Sequence, residues 1–266
     1  MNAGPILELH GLAKRFGGLS VVEDLSFVVA RGSRTAMIGP NGAGKTTVFN
    51  LISGLLTAEA GRILFDGHDI SAVPSRRRIG YGIARSFQNV RLMPHLTTLE
   101  NVMVGQHSRC RGLLGILQPI NLLPNNRWRD EARTALADAG LAQYESAMVA
   151  SLPYGVQKRV EVVRAVMARP RLLLLDEPAA GLNWTESEAL QQLLDRICAN
   201  TAVTLLIIEH DMHFVGALCD HVVVLDFGRK IAEGTLAQIR DDPVVQRIYL
   251  GTATASQERS HAARCA

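Results

Sequence analysis

Gly39-Pro40-Asn41-Gly42-Ala43-Gly44-Lys45-Thr46 is the stretch on which the reading of the fold turns. It fits the pattern G-x-x-x-x-G-K-[ST]. An apolar run of β type, Arg34 to Ile38, precedes it, and a helical pattern begins near Lys45, so strand and helix flank the loop as the motif requires. Gly42 and Gly44 let successive backbone N–H groups turn inward onto phosphate oxygens, the helix start adds positive potential, and Lys45 supplies a full charge. Thr46 is placed to hold Mg²⁺ through its hydroxyl. With Gly near roughly 7% of residues and the other residues at ordinary usage, such a match arises by accident on the order of once in a hundred chains of this length. The stretch therefore reads as a phosphate loop that binds a nucleotide.

Downstream, Leu172-Leu173-Leu174-Leu175-Asp176-Glu177 sets two carboxylates after four apolar residues. That pattern fits a fully buried parallel strand whose C-terminal end meets a ligand crevice. Asp176 is the expected Mg²⁺ partner of Thr46, and Glu177 is positioned to orient or deprotonate an attacking water. Standing alone the segment would be a strand end with two solvated acids; the phosphate loop upstream changes its meaning. His210 follows another apolar strand, Thr204 to Ile208, and should emerge at the same edge of the sheet, in reach of a γ-phosphate. Gln88, in Ser86-Phe87-Gln88-Asn89, means little by itself.

Around these motifs, short β runs at Ile6 to Leu9, Leu25 to Val29, Arg34 to Ile38 and Arg62 to Phe65 are separated by Gly-containing turns. Helical periodicity follows at Thr98 to Val104, Trp128 to Ala139 and Gln157 to Ala168, with Thr97 and Thr98 as caps. Two strand-and-helix units return, Arg171 to Leu175 with Trp184 to Cys198, and Thr204 to Ile208 with Met212 to Leu218. Val222 to Leu225 and Arg229 to Ala232, joined by Asp226-Phe227-Gly228, read as a hairpin. The expected domain spans residues 6–251: a β-rich and core part to about 88, a helical subdomain over about 89–168, and the core resumed over about 169–251. Residues 252–266 read as a frayed tail. The apolar, uncharged stretch Gly112 to Pro124 is either a packed helical hairpin or a surface that touches a membrane partner.

At 266 residues with 47% hydrophobic and 20% charged, the chain is ordinary globular material. Its apolar runs fall short of the roughly 20 residues that cross a bilayer, and its first twelve residues lack a signal-peptide pattern. A cytosolic location is expected. Cys110, Cys198, Cys219 and Cys265 are scattered with no C-x-x-C pair, which argues against structural zinc or a disulfide framework. The net charge of +3 gives little footprint for nucleic acid, and the cluster Arg76, Arg77, Arg78 reads as a solvated turn.

Phosphate loop, Gln88, a signature-like segment, an acidic strand end and His210, in that order, resemble the ATP-binding cassette family over about Ile6 to Gly251. Within it, Phe16-Gly17-Gly18-Leu19, Arg85-Ser-Phe-Gln-Asn89, Leu99-Glu-Asn101, Leu152-Pro-Tyr-Gly-Val-Gln-Lys158, Glu177-Pro-Ala-Ala-Gly-Leu-Asn183 and Tyr249-Leu-Gly251 are similar to the ATPase subunits of branched-chain amino acid importers. So is the insertion between Gly105 and Asp130. The resemblance implies an α/β fold: a P-loop NTPase core of parallel sheet and flanking helices, with an antiparallel β subdomain and an α-helical subdomain. It implies ATP and Mg²⁺ as cofactors, with nucleotide held by Phe16, stacked on adenine, and by Gly39, Pro40, Asn41, Gly42, Ala43, Gly44, Lys45, Thr46, Thr47 and Gly155. Glu177, His210, Gln88 and Lys45 are the implied catalytic residues, and Thr46, Gln88 and Asp176 the implied metal ligands. The implied partners are transmembrane permease subunits, a second ATPase that is a paralogue or a second copy, and indirectly a solute-binding protein, with the chain peripheral on the cytoplasmic face of the inner membrane. One departure stands out. The family signature Leu-Ser-Gly-Gly-Gln is here Leu152-Pro153-Tyr154-Gly155-Val156, without the serine and the final glutamine.

Three alternatives remain at this level. Another cargo, a urea-like amide or an exported lipid, keeps the fold. A soluble cassette protein of translation or DNA maintenance would carry two cassettes or a long coiled coil, and no sustained heptads are present. A P-loop kinase would leave Gln88, Glu177 and His210 unexplained.

Overall fold

In the computed structural model, residues 4–86, 90–109 and 127–248 are described. Gln88, Gly112 to Pro124, Tyr249-Leu-Gly251, Cys110, Cys265 and the tail lie outside the described residues. The chain divides into two compact units, residues 1–72 with 208–266, and residues 73–207.

The first unit opens with β1 (Leu7–Phe16), β2 (Leu19–Val29) and β3 (Arg34–Ile38), then α1 (Lys45–Ile52), β4 (Ala60–Phe65) and the short β5 (His68–Asp69). Strands β2, β1, β4 and β5 form an antiparallel four-stranded sheet in that order. Leu7, Leu9 and Leu12 of β1, Leu25, Phe27 and Val29 of β2, and Ile63 and Phe65 of β4 are buried. The alternation along β2 and β4 is that of a sheet with one covered face.

Both β1 and β2 run longer than the apolar pattern suggests. Register shifts between Leu9 and Leu12, and again on either side of Lys14, absorb Gly11 and the polar residues that break the alternation.

In the second unit α2 (Ser75–Tyr81) leads into β6 (Ile83–Arg85), followed by α3 (Thr98–Val104), α4 (Arg127–Asp138), α5 (Tyr154–Val166), β7 (Leu172–Asp176), α6 (Trp184–Thr201) and β8 (Thr204–Ile208). The strand order is β8, β7, β6, and β6 pairs parallel to β7. Every residue of β7 and β8 is buried, as expected for strands covered on both faces. Two capping boxes fix helix starts here. Thr97 accepts from the Glu100 N–H while Glu100 accepts from the Thr97 N–H, and Asn183 and Glu186 do the same for α6.

The cluster Arg76 to Arg78 is not a solvated turn. It lies within α2, where Arg76 and Arg77 are exposed but Arg78 is buried and donates through Nε to the Val73 carbonyl at 2.8 Å. Burial pushes the Arg78 guanidinium down to about 10, far enough above neutrality that it stays charged.

The chain then returns to the first unit with α7 (Met212–Leu218), β9 (His221–Asp226), β10 (Arg229–Gly234) and α8 (Leu236–Asp241). Strand β9 pairs parallel to β3 and antiparallel to β10, which makes the expected hairpin across Asp226-Phe227-Gly228. Ala36, Ile38, Val215, Val222, Val224, Ile239 and Val245 form one buried cluster that holds α7 and α8 to these strands. Burying each such Val or Ile side chain contributes about 1.5–3 kcal/mol. Strand β3 thus ends at a fixed point, and the phosphate loop begins there.

Candidate functional site

In the first unit the loop Gly39 to Gly44 joins β3 to α1. Gly39, Gly42 and Gly44 have φ of 151°, 84° and 95°, in the region that favours glycine. Two of them are also pinned by space. A Cβ on Gly39 would stand 2.1 Å from the Leu225 carbonyl oxygen, and one on Gly44 2.6 Å from that of Val21. Gly42, by contrast, has nothing within 4 Å, so its surface is turned to open space. The loop is tied down elsewhere by Gly228 N–H to the Ala43 carbonyl at 3.0 Å and Glu23 N–H to the Gly228 carbonyl at 3.0 Å. We expect Gly39→Ala to lower the unfolding free energy by at least about 3 kcal/mol. Urea titration of the purified variant checks this, and a wild-type midpoint would refute the close-packing account.

Lys45, the first residue of α1, is buried, and its Nζ donates to the carbonyls of Gly39 at 2.7 Å and Pro40 at 3.0 Å. The ammonium is therefore held inside the curl of the loop. Helix α1 has no side-chain cap and no acid in its first turn, unlike α3 and α6 with their capping boxes. Its positive end is left for an anion, and these features together fit a nucleotide's phosphates. Thr46 is exposed and Thr47 half-buried on the same turn. Pro40, Asn41, Gly42, Ala43, Asp226, Phe227 and Ile248 line a hollow of ≈ 340 Å³ against the loop.

Phe16, at the end of β1, pairs with Leu19 across Gly17-Gly18; the residue is 46% exposed, with Lys14 Nζ 5.5 Å from the ring centroid. His210 follows β8 and is largely exposed. Its backbone N–H donates at 3.1 Å to Oε2 of Glu209, a carboxylate that is almost completely buried. Asp211 then caps α7 through the N–H groups of His213 and Phe214. Sequence reasoning passed over Glu209. The available signal was its position, one residue beyond an apolar strand, like Asp176 after Leu172 to Leu175.

In the second unit Asp176 ends β7, buried, and accepts from Nη2 of Arg85 at 2.7 Å. Glu177 is half-buried with φ 47°, the left-handed region that costs a non-glycine residue of order 1–3 kcal/mol. Its carbonyl accepts from the Ala180 N–H at 3.2 Å, so the chain turns sharply right after the strand.

The signature-like segment is in the same unit. Its helix α5 starts at Tyr154 with Pro153 as a cap that bonds through no side chain, and no acid stands in its first turn. A Cβ on Gly155 would meet the Glu186 side chain at 2.7 Å. Tyr154 lies over Gly181, where a Cβ would be 3.3 Å from its ring, and Lys158 Nζ is 5.7 Å from the Tyr154 ring centre. The segment thus packs against Gly181 to Glu186, the stretch that leads from Glu177 into α6.

The described residues therefore bring Phe16, Gly39 to Thr47 and His210 into the first unit, and Gly155, Asp176 and Glu177 into the second.

Residues 22–180 match the family model for ABC transporters, and residues 229–255 match that for the branched-chain amino acid ATP-binding cassette transporter. The chain is 42% identical over 252 residues to the high-affinity branched-chain amino acid transport ATP-binding protein BraF of Pseudomonas aeruginosa, covering 94% of this chain and 99% of that protein. It is 38% identical, with the same coverage, to LivG of Escherichia coli, which carries the same description. Among solved structures, the ADP conformation of MJ1267, an ATP-binding cassette of an ABC transporter, superposes with a TM-score of 0.83 at 31% identity, covering 93% of this chain and 99% of that one. The parallel strands, antiparallel sheet and helical sector are those of such cassettes. The chain belongs to the ATP-binding subunits of ABC transporters, a family that binds nucleotide and hydrolyses ATP to power transport.

Proposed function

We infer that this chain is the ATPase subunit of an importer that takes up branched-chain amino acids. The observation that carries the cargo is the similarity to BraF and LivG over nearly the full length of both chains, together with the match at residues 229–255. No helix among the described residues is long and apolar enough to cross a membrane. The chain works with membrane permease components and pairs with a second ATPase. We place it on the cytoplasmic face of the inner membrane, with a paralogue as the second ATPase and a solute-binding protein that delivers cargo to the permease.

The residues support these roles as follows. Backbone N–H groups of Gly42 and Gly44, the start of α1 and Lys45 bind the ATP phosphates, and Phe16 offers an exposed ring for adenine to stack on. The Thr46 hydroxyl, the Asp176 carboxylate and Gln88 are hard oxygen donors of the kind Mg²⁺ takes, and Asp176 is a buried carboxylate of known placement at a strand end. When bound, the ion would neutralise charge that builds on the phosphoryl oxygens. Glu177 orients a water and accepts its proton; His210 contacts the γ-phosphate. Gly155, packed on Glu186, holds the uncapped start of α5 toward the nucleotide held by the partner ATPase, where Pro153 leaves the helix end in place of a serine hydroxyl. ATP closes the pair, hydrolysis and release reopen it, and the differential affinity of the two states for ATP moves the permease.

ATP turnover of the chain, alone and assembled with the permease, second ATPase and solute-binding protein encoded beside it, tests the proposal. Hydrolysis that rises only in the assembly, and only with loaded branched-chain amino acid, is expected. The chain is also 32% identical to the lipopolysaccharide export system ATP-binding protein LptB of Escherichia coli. Stimulation by lipid rather than by amino acid would overturn the cargo.

A further inference from the structure

Strand β6 lies parallel to β7 with Ile83 opposite Leu172, Ala84 opposite Leu173 and Arg85 opposite Leu174. This register is pinned at both ends. The N–H groups of Arg171 and Leu172 both donate to the Gly82 carbonyl, at 2.7 and 3.0 Å, and Ser86 N–H donates to the Leu174 carbonyl at 2.9 Å. Arg85 therefore cannot slide relative to Asp176. Its guanidinium Nη2 reaches forward by two residues to Asp176 Oδ2 at 2.7 Å, and the two side chains are only 8% and 6% exposed.

A carboxylate buried to this degree is costly to leave without a partner of opposite charge. Arg85 supplies that compensation from within the chain, through a charge-assisted hydrogen bond in a site that water screens weakly. A divalent cation that approaches Asp176 thus meets a carboxylate already engaged, with a full positive charge beside it. We propose that Arg85 is a positioning residue that holds the Asp176 carboxylate in place without metal, and that Mg²⁺ binds in competition with it, so that Arg85 sets the chain's Mg²⁺ affinity. The proposal rests on the reading that Asp176 faces Mg²⁺. It makes the metal an exchange of one counter-charge for another, so a metal-free chain keeps its strand end formed.

The test is a titration of MgCl₂ into the full chain saturated with a fluorescent ADP analogue, followed by thermal unfolding with and without Mg²⁺. Arg85→Gln should lower the Mg²⁺ concentration for half-maximal response by about tenfold, melt below wild type without metal, and be raised more than wild type by Mg²⁺. Arg85→Lys, which keeps the charge, should stay within about twofold of wild type. A merely structural role would lower the melting temperature without tightening Mg²⁺. Unchanged or weakened Mg²⁺ affinity in Arg85→Gln therefore overturns the proposal. Asp176→Asn separates the two readings: if it keeps the wild-type Mg²⁺ response, the metal role of Asp176 itself falls; if it loses that response while Arg85→Gln is unaltered, only the role of Arg85 falls. Should Arg85→Gln fail to fold, the double variant Arg85→Gln/Asp176→Asn decides. Recovery of the fold supports charge compensation, and failure of both variants overturns it.

Discussion

Glu177→Gln should bind ATP as wild type does and hydrolyse it about 10²–10⁴-fold more slowly, the range that general-base catalysis contributes. The substitution keeps the side chain's shape and removes only its ability to take a proton. Glu177 follows the buried end of β7 directly, and the turn to Ala180 holds its backbone in a left-handed conformation that glutamine can take equally well. The fold should therefore tolerate the amide. Single-turnover hydrolysis, read beside an equilibrium titration with a fluorescent ATP analogue, separates the two effects. Wild-type turnover in this variant would remove Glu177 from the role, and loss of ATP binding would show that the glutamate holds substrate instead.

Lys45→Ala should act at the opposite step. Lys45 is buried at the start of α1, and its ammonium spans the Gly39 and Pro40 carbonyls. A charge-assisted hydrogen bond contributes roughly 1.5–3 kcal/mol, so losing the ammonium should weaken ATP binding by about 10–100-fold. The alanine also deprives two loop carbonyls of a donor, and a modest fall in melting temperature should accompany the change. The titration that assigns the effect compares ATP with adenosine. Only the phosphate-bearing ligand should lose affinity, and an unchanged ATP affinity would sink the phosphate-loop assignment.

What could be read in the chain and what could not divides along sequence distance. Arg34 to Ile38, Thr98 to Val104, Thr204 to Ile208 and Met212 to Leu218 have the expected bounds, because each is a clean apolar period between unambiguous stops. Strand β1 runs on to Phe16, past the Leu9 at which alternation alone ends it, since a bulge can carry Gly11, Lys14 and Arg15 through a strand. Helix α5 begins at Tyr154, three residues before the Gln157 of the periodic pattern, because Pro153 serves as its cap and Gly155 is admitted by packing against Glu186. Nothing in three consecutive arginines tells which one a helix will turn inward; tertiary packing selected Arg78.

The site shows the same division. Gly39 to Thr47 and Leu172 to Glu177 are contiguous, and their chemistry is legible from residue type and spacing. Arg85 and Asp176 are 91 positions apart, and Gly39 meets Leu225 across most of the chain. Only the strand order brings such pairs together, and no local pattern encodes it.

The contacts that confine the phosphate loop are made by main chain on both sides: Gly39 against the Leu225 carbonyl and Gly44 against the Val21 carbonyl. Side-chain crowding in a core is relieved by trimming the neighbour, which is how second-site suppressors usually restore a fold. Here the neighbour is a carbonyl that every amino acid carries, so no replacement at Leu225 or Val21 makes room. A selection for revertants of Gly39 or Gly44 variants should return the original glycine, and the genetic record of this loop should hold true reversions with no compensating changes at the residues it touches.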